Sequence, residues 1–190
     1  MSTSRIRQNF HEESEAALNR QVNMELFASY TYQSMSFHFA RDDVALPGIA
    51  AHFAKESAEE RGHAEKLMKL INQRGGAIVL DNISKPKKQA WGSMLEAMQD
   101  ALQLERDVNQ SLLDLHKVAS KHEDAHLTDY LEGEFLTEQV DAYREDLRLH
   151  HAAQESRHWT WRVHLRPRGF QLNRSFSASC SLIDSPKTKQ

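Results

Sequence analysis

Four long segments of the chain repeat apolar residues every three or four positions, a spacing that places them along one face of an α-helix. The first segment extends from His11 to about Phe39 and contains neither Pro nor Gly. The second begins at Pro47, whose fixed φ suits a first helical turn, and ends at Gly75 and Gly76, a favourable C-terminal signal. The pattern predicts two long helices joined by a short turn.

Two further helices follow a longer connection, over residues 77–90, that is predicted to be extended. The third helix is expected to start near Trp91, with Ser93 and Glu96 at capping-box spacing, and to run to about Lys121. The fourth is expected from about residue 124 to at least residue 147.

The connections indicate how these helices pack. Each helix has roughly 25–30 residues and is therefore about 40 Å long. The first and third connections are short, so each joins antiparallel neighbours. The middle connection can span some 45 Å when extended, enough to run back along the bundle. The sequence therefore predicts an all-α fold: a four-helix bundle with one long crossover connection between helices 2 and 3.

Polar residues interrupt the apolar face of every predicted helix near its middle. The carboxylates on the four faces are Glu25, Glu60, Glu105 and Glu138, and Gln139 lies just beside the last of them. One such residue alone could reach water at the edge of its face. Four at similar depth are costly unless neutralised, and no Lys or Arg lies on the faces at that level. Either the carboxylates are protonated, with raised pKa values, or a cation lies among them.

The types of residue indicate which cation would fit. Glu60 and His63 have the Glu-x-x-His spacing, which lets one helix offer a carboxylate and an imidazole to the same metal. Oxygen-rich ligation with one imidazole and no thiolate suits Fe, Mn or Zn, and two bridged metals fit the count. One position would be well ligated, by Glu25, Glu60 and His63. The other, with Glu60 bridging, Glu105 and Gln139, would be weaker and would suit a metal that passes through as substrate.

Composition excludes several classes of protein. The chain is 39% hydrophobic and 27% charged, and its seven Gly and four Pro are too few for a turn-rich all-β fold. No apolar run approaches the ~20 residues that span a bilayer, and the N-terminus has no apolar signal core. The single cysteine, Cys180, excludes an intramolecular disulfide and a cysteine-based metal cluster. These features predict a protein without membrane contact in a reducing compartment, most simply the cytoplasm.

The net charge of −3 is unevenly distributed. Residues 1–150 carry 17 Lys/Arg and 25 Asp/Glu, a balance of −8, whereas residues 151–190 carry 7 and 2, a balance of +5. The acidic body and the eleven histidines of the chain favour cations as partners and argue against nucleic acid binding there.

Three stretches carry a resemblance to a known family: RQNFHEESEAALNRQVNMELFASYTYQSMSFHFARDDVAL, HAEKLMKLINQRGG and VNQSLLDLHKVAS. From about Arg5 to Leu147 the chain resembles a ferritin subunit of the animal heavy-chain, ferroxidase type. The resemblance implies oxidation of Fe(II) to Fe(III) by dioxygen at a di-iron centre, with iron as the metal. It also implies a homo- or hetero-oligomer with ferritin subunits, a hollow shell of twenty-four in the family, that stores the ferric mineral.

The resemblance also implies roles for individual residues. Glu60 would bridge the two irons. Glu25 and His63 would complete the ligation of the first iron, and Glu105 would bind the second. Gln139 would be a weak or neutral ligand. The remaining matches are the nearby Tyr32, as hydrogen-bond donor, transient electron source or simple core packing, and the auxiliary carboxylate Glu59.

The resemblance places further carboxylates outside the di-iron centre. The family's mineral-nucleating acids fall on Glu59, Gly62 and Glu65, and Gly62 departs from the family's acid at that position. The acidic iron-entry channel falls on Asp129 and Glu132, with Glu134 nearby. A merely solvated helix face is the alternative interpretation of Asp129 and Glu132.

The resemblance ends after residue 149. The family adds a short fifth helix that is missing here, so the predicted domains are a bundle at 1–149 and a basic, Ser/Arg-rich, disordered tail at 150–190. The segment 157–170 could bind a partner or nucleic acid, but an end produced by alternative splicing, intron read-through or a frameshift explains it better. Two alternatives to a storage ferroxidase follow: a regulatory or assembly-defective variant that perturbs the shell, and a bundle that binds nucleic acid through its tail.

Overall fold

The computed structural model describes residues 4–155, which are helices and their connections without any β-strand. The predictions made for the tail at 156–190, including its missing fifth helix and its disorder, lie outside the described residues. Long amphipathic segments account for almost all of the helical structure. The helices are α1 (Glu12–Phe39), α2 (Pro47–Gln73), α3 (Met94–Lys121), α4 (Ala125–Leu131) and α5 (Thr137–Glu155).

The predicted helix signals at the chain's turns are present in the structure. The hydroxyl of Ser93 accepts a hydrogen bond from the Glu96 backbone N–H, and the carboxylate of Asp124 caps α4 in the same way through Leu127. At the end of α2, Gly75 has a φ of +75°, and the Gly76 N–H donates to the carbonyl of Ile71. This Schellman arrangement satisfies carbonyls that the helix end would otherwise leave unpaired.

Hydrogen bonds between helices establish the topology of the bundle. Ser29 of α1 bonds to Ser57 of α2, while Ser36, farther along α1, bonds to the carbonyl of Ala50, which lies earlier in α2. The two helices are therefore antiparallel. Residues 74–93 then return along the bundle, and Asn19 of α1 holds them by hydrogen bonds to the backbone of residues 77 and 79. The predicted four-helix bundle with a long crossover is confirmed.

The fourth helix of the bundle consists of α4, a π-helical turn (Glu132–Leu136) and α5 in continuous sequence. At this turn the N–H of Thr137 donates to the carbonyl of Glu132, five residues earlier. A π turn accommodates one extra residue compared with an α turn. It therefore rotates the helix face that follows relative to the face that precedes it.

Buried apolar side chains fill the bundle on both sides of a polar region near its middle. Its largest fully buried side chains include Phe53, on which both Tyr32 and Phe39 stack, and Leu112 and Leu131 on the other pair of helices. None of the helices between residues 4 and 155 combines the length and the apolar character that a membrane span needs.

The end of α5 bears on the predicted domain boundary. This helix continues to Glu155, past the predicted boundary at residue 149, so the first residues assigned to the tail are helical. The division of the chain into 1–149 and 150–190 stays a prediction.

Candidate metal centre

A small cavity of about 30 Å³ lies in the middle of the bundle, where the polar faces of the helices meet. Five residues predicted as metal ligands line it. Further acidic residues surround its opening, and one of them is Glu59, the predicted auxiliary carboxylate. The lining consists of Glu25, Glu56, Glu59, Glu60, His63, Glu105, Phe135, Glu138, Gln139 and Ala142. Helical spacing thus brings side chains from four separate segments to one depth of the bundle.

Glu25, Glu60 and His63 form the tighter part of this site. One ligand atom from each lies within 4.8 Å of the others, and Nδ1 of His63 is 3.1 Å from Oε2 of Glu60. Burial, together with the charge of Glu60, raises the pKa of Glu25 well above its usual value. Burial and the charge of Glu105 likewise raise the pKa of Glu60. Protons or a cation are therefore required to neutralise this group.

A hydrogen-bond chain orients Glu25. The amide of Gln21, one turn earlier on α1, donates to Oε1 of Glu25 at 2.8 Å, and the hydroxyl of Ser111 on α3 donates to Oε1 of Gln21. The other carboxylate oxygen, Oε2 of Glu25, is buried and receives no hydrogen bond from the described residues. One oxygen is thus fixed and the other is left for a ligand.

Glu105 of α3 forms the second part of the site. The hydroxyl of Tyr32 donates to its Oε1, and the amide of Gln139 donates to its Oε2 at 3.3 Å. Oε1 of Gln139 is buried without a hydrogen-bond partner in the described residues. Tyr32 therefore contacts the site through Glu105, and it also stacks on Phe53 in the core.

Correct placement of Gln139 depends on the π turn. Continuing the α-helical spacing from Leu131 and Phe135 predicts that Glu138 points inward, with Gln139 beside it. That prediction is wrong: Gln139 is buried, whereas the side chain of Glu138 is 48% exposed. The extra residue within Glu132–Leu136 shifts the inward position by one.

Acidic residues at the rim surround the buried carboxylates. They include Glu138, which was expected to face inward, and Glu56, which the sequence analysis did not select. Oε2 of Glu138 lies 3.2 Å from Nε2 of His63, on the side opposite Glu60. Burial raises the pKa of Glu56 to about 7. Glu56 lies on the polar face of the second helix, one turn before Glu60, and this spacing was the signal that could have identified it.

Lysines reach this rim although none lies on the inward faces. Lys55 contacts Glu59 at 2.9 Å and Glu56 at 3.5 Å, and Lys66 lies 3.8 Å from Glu138. The predicted auxiliary ligand Glu59 is therefore an exposed rim residue that pairs with a lysine. The positive charges stand outside the buried group of carboxylates.

The structure does not bring the other predicted carboxylates to the cavity. Glu65, Asp129 and Glu132 are exposed on the helix surfaces, and Oε1 of Glu132 accepts a hydrogen bond from Nε2 of His116 at 2.7 Å. At Gly62 an added Cβ would meet no atom within 4 Å, so packing does not require the absence of a side chain there.

The donor set at the cavity fits divalent metal ions of the iron type. Carboxylate oxygens and one imidazole converge on a space the size of about one water molecule, and two buried acceptors, on Glu25 and Gln139, point at no donor in the described chain. A cation there would offset the repulsion that raises the pKa values of Glu25 and Glu60.

Comparison with known proteins agrees with this architecture. Residues 15–146 match the family model described as a ferritin-like domain. The chain belongs to the ferritin family. Among its relatives, soma ferritin of Lymnaea stagnalis is 63% identical over 145 residues, covering 76% of this chain and 83% of that protein. The ferritin middle subunit of Salmo salar is 59% identical over 142 residues, covering 75% and 81%.

The family match spans most of the bundle of this ferritin-family chain, from within α1 to within α5, and it includes the residues that line the cavity. The family model ends at residue 146, within α5. The positions of Glu25, Glu60, His63, Glu105 and Gln139 all fall inside it.

Proposed function

We propose that this chain is an iron-storage subunit of the heavy-chain, ferroxidase type, which oxidises Fe(II) with dioxygen. The observation that carries the proposal is the buried group of Glu25, Glu60, His63 and Glu105, with unpartnered acceptor atoms around one small cavity. A chain that bound no cation would gain nothing from burying these carboxylates, since an unneutralised group of this kind costs several kcal/mol.

Iron is the substrate of this reaction, and each Fe(II) gives one electron to dioxygen. Glu60 stands between the two halves of the site and supplies the bridging carboxylate. Glu25 and His63 hold the tighter position, while Glu105 and the neutral Gln139 hold the other. The amide oxygen of Gln139 is a weaker ligand than a carboxylate would be at this place, which suits release of the oxidised product. Tyr32 fixes the orientation of Glu105.

Ferrous oxidation kinetics on the full chain test this proposal. Glu60→Ala and His63→Ala remove ligands of the tighter position, and each is expected to slow oxidation on the order of tenfold or more. Asp107→Ala, which removes an exposed carboxylate of α3 two residues after Glu105, is the matched control and should leave the rate unchanged. Equal rates in the native chain and both ligand variants would show that the site is assigned wrongly.

The same proposal extends to storage of the product. The ferric mineral would be held inside a shell of ferritin subunits in the cytoplasm, nucleated near Glu59 and Glu65. Entry of iron would follow Asp129 and Glu132, whose exposure on the fourth helix suits a channel between subunits. Electron microscopy of the iron-loaded assembly, with Asp129→Ala and Glu132→Ala as variants, tests the location of the mineral and the route.

A regulatory or assembly-defective subunit is the second candidate function. The observation that favours it is the end of the family match at residue 146, after which the chain's own composition becomes basic. Such a chain would retain the bundle and change the contacts between subunits. Size-exclusion chromatography with mass measurement decides: a normal, fully mineralised shell from this chain alone argues against the second candidate.

A further inference from the structure

Two histidines and a glutamate meet at one end of the bundle, far from the central cavity. His11 immediately precedes α1, Glu13 lies in its first turn, and His122 immediately follows α3. Along α1 the rise of about 1.5 Å per residue separates His11 from Glu25 by roughly 20 Å. This terminal cluster therefore shares no residue with the buried carboxylate site.

The three side chains are already close enough to bind one ion. The rings of His11 and His122 stack with centroids 3.5 Å apart and planes 9° from parallel, and Nε2 of His122 lies 3.0 Å from Oε2 of Glu13. One ligand atom from each lies within 4.8 Å of the other two. Ligand atoms around tetrahedral zinc, bonded at about 2.0–2.1 Å, are separated by about 3.3 Å.

The charge and burial of the cluster favour a divalent cation. Oε2 of Glu13 already attracts two proton-bearing nitrogens, Nζ of Lys121 at 2.6 Å and Nε2 of His122 at 3.0 Å. His11 and Glu13 are exposed and His122 is half-buried, which leaves the cluster accessible to a metal from solvent. Two neutral imidazoles and one carboxylate are borderline ligands of the kind that zinc and copper prefer.

We propose that His11, Glu13 and His122 form a second metal site, which binds Zn²⁺ or a similar divalent transition-metal ion and leaves a coordination position for water. Binding turns the parallel imidazole rings so that their lone pairs converge. The ion takes over the contact that Lys121 makes with Glu13 at 2.6 Å. It also ties the start of α1 to the end of α3, more than a hundred residues apart in sequence.

A helix cap also competes with the ion, besides the contact of Lys121 with Glu13. Nδ1 of His11 accepts a hydrogen bond from the backbone N–H of Glu13 at 3.1 Å and so caps α1. Coordination by either ring nitrogen disturbs this cap, because a neutral imidazole has one lone-pair nitrogen. Asn is as good a cap residue as any, so His11→Asn removes the imidazole and still leaves a side chain that caps the helix.

Zinc titration of the full-length, metal-free chain by calorimetry tests the proposal. A Glu60→Ala background weakens the buried centre, so that the terminal cluster dominates binding. In that background we expect one zinc ion per chain, and His122→Asn or His11→Asn should weaken its binding on the order of tenfold or more. His126→Asn is the matched control, since His126 is exposed, lies in the first turn of α4 four residues after His122, and contacts Arg74 instead.

Unchanged affinity and stoichiometry in both His11→Asn and His122→Asn would overturn the proposal, as would equal losses in the His126→Asn control. Co²⁺ gives a second readout, because an ion held by this tetrahedral set shows strong visible absorption that His122→Asn should abolish. The zinc measurement is independent of the proposed ferroxidase activity. If Glu60→Ala leaves the rate of iron oxidation unchanged, the ferroxidase assignment is refuted, but zinc binding at His11, Glu13 and His122 is not.

Discussion

At the scale of single residues, Tyr32 shows how a core aromatic residue supports the polar site. Its ring is buried against Phe53, and its hydroxyl donates to Glu105. Tyr32→Phe keeps the ring and removes the donor, so we expect the free energy of unfolding of the metal-free protein to fall by about 1–3 kcal/mol. Urea denaturation measures this difference.

Tyr30→Phe is the control for this prediction. Tyr30 lies two residues earlier on α1 and is 46% exposed, so losing its hydroxyl should change the unfolding free energy by less than about 0.5 kcal/mol. Equal effects of the two substitutions would mean that the hydrogen bond to Glu105 contributes nothing. A slower oxidation of iron in Tyr32→Phe alone would show that orientation of Glu105 matters for the reaction.

Gly62 offers a second prediction at this scale, because a glycine within a long helix is costly. A Cβ at this position meets no atom within 4 Å, and its φ is not positive. Gly62→Ala should therefore raise the free energy of unfolding by about 1 kcal/mol, as measured by urea denaturation. By contrast, Gly76→Ala should lower it, since the new Cβ would lie 2.8 Å from a ring carbon of Phe10.

At the scale of the elements, periodicity predicted the long helices well and the register of the last one poorly. Pro47, Gly75 and Ser93 mark helix ends because their backbone and hydrogen-bonding properties act locally. The change of register in the fourth helix depends on which carbonyl accepts each N–H, a choice that the apolar pattern does not reveal. Leu131 and Phe135 face inward both in a regular α-helix and in a helix with the π turn. The two cases differ only after the turn, where Gln139 replaces Glu138 as the inward residue.

The π turn leads to a prediction about deletion. Removing Gly133, which is exposed and meets nothing at its Cβ position, should restore α-helical hydrogen bonding and keep Gln139 facing inward. We expect the deletion to change the free energy of unfolding by no more than about 1–2 kcal/mol. Circular dichroism during urea denaturation measures both the helix content and this difference.

Deletion of Asp114 is the control in a regular helix. This residue is exposed on α3, where no extra residue is stored, so its loss rotates the following turns by about 100°. Leu115 and Ala119 would leave the core, and the protein should lose most of its stability. If the Gly133 and Asp114 deletions were equally harmful, the π turn would not be acting as a one-residue insertion.

At the scale of the whole molecule, the bundle combines an apolar core with a central group of acids that oppose folding when no metal is bound. The helices that line the central cavity could be predicted because carboxylates stand out in an otherwise apolar helix face. Glu56 and Glu138 could not be assigned to the rim so readily. Their positions depend on how far each helix is rotated and on where Lys55 and Lys66 extend, which the pattern of one helix does not specify.

The cost of these acids predicts how the stability of the metal-free bundle depends on pH. Burial raises the pKa of Glu56 from 4.5 to about 7 in the folded protein. Below pH 4.5 the group is protonated in both states. As pH rises from 4.5 to about 7 the unfolded chain ionises first, so stability is lost over that window, up to about 3 kcal/mol. Glu56→Gln removes this loss and should be more stable than the native chain above pH 7.

Denaturation by urea at several pH values in the presence of a chelator measures the difference between the two chains. Comparing variants cancels the opposite contribution of groups such as Glu13, whose lowered pKa gives stability that is lost only at acid pH. Glu65→Gln, exposed on the same helix, should follow the native chain throughout. If the stability of Glu56→Gln also follows that of the native chain, Glu56 is not held in a desolvated environment.

Added metal should reduce the difference in unfolding free energy between the native chain and Glu56→Gln. The reason is that a cation in the cavity stabilises the ionised carboxylates that protons otherwise neutralise.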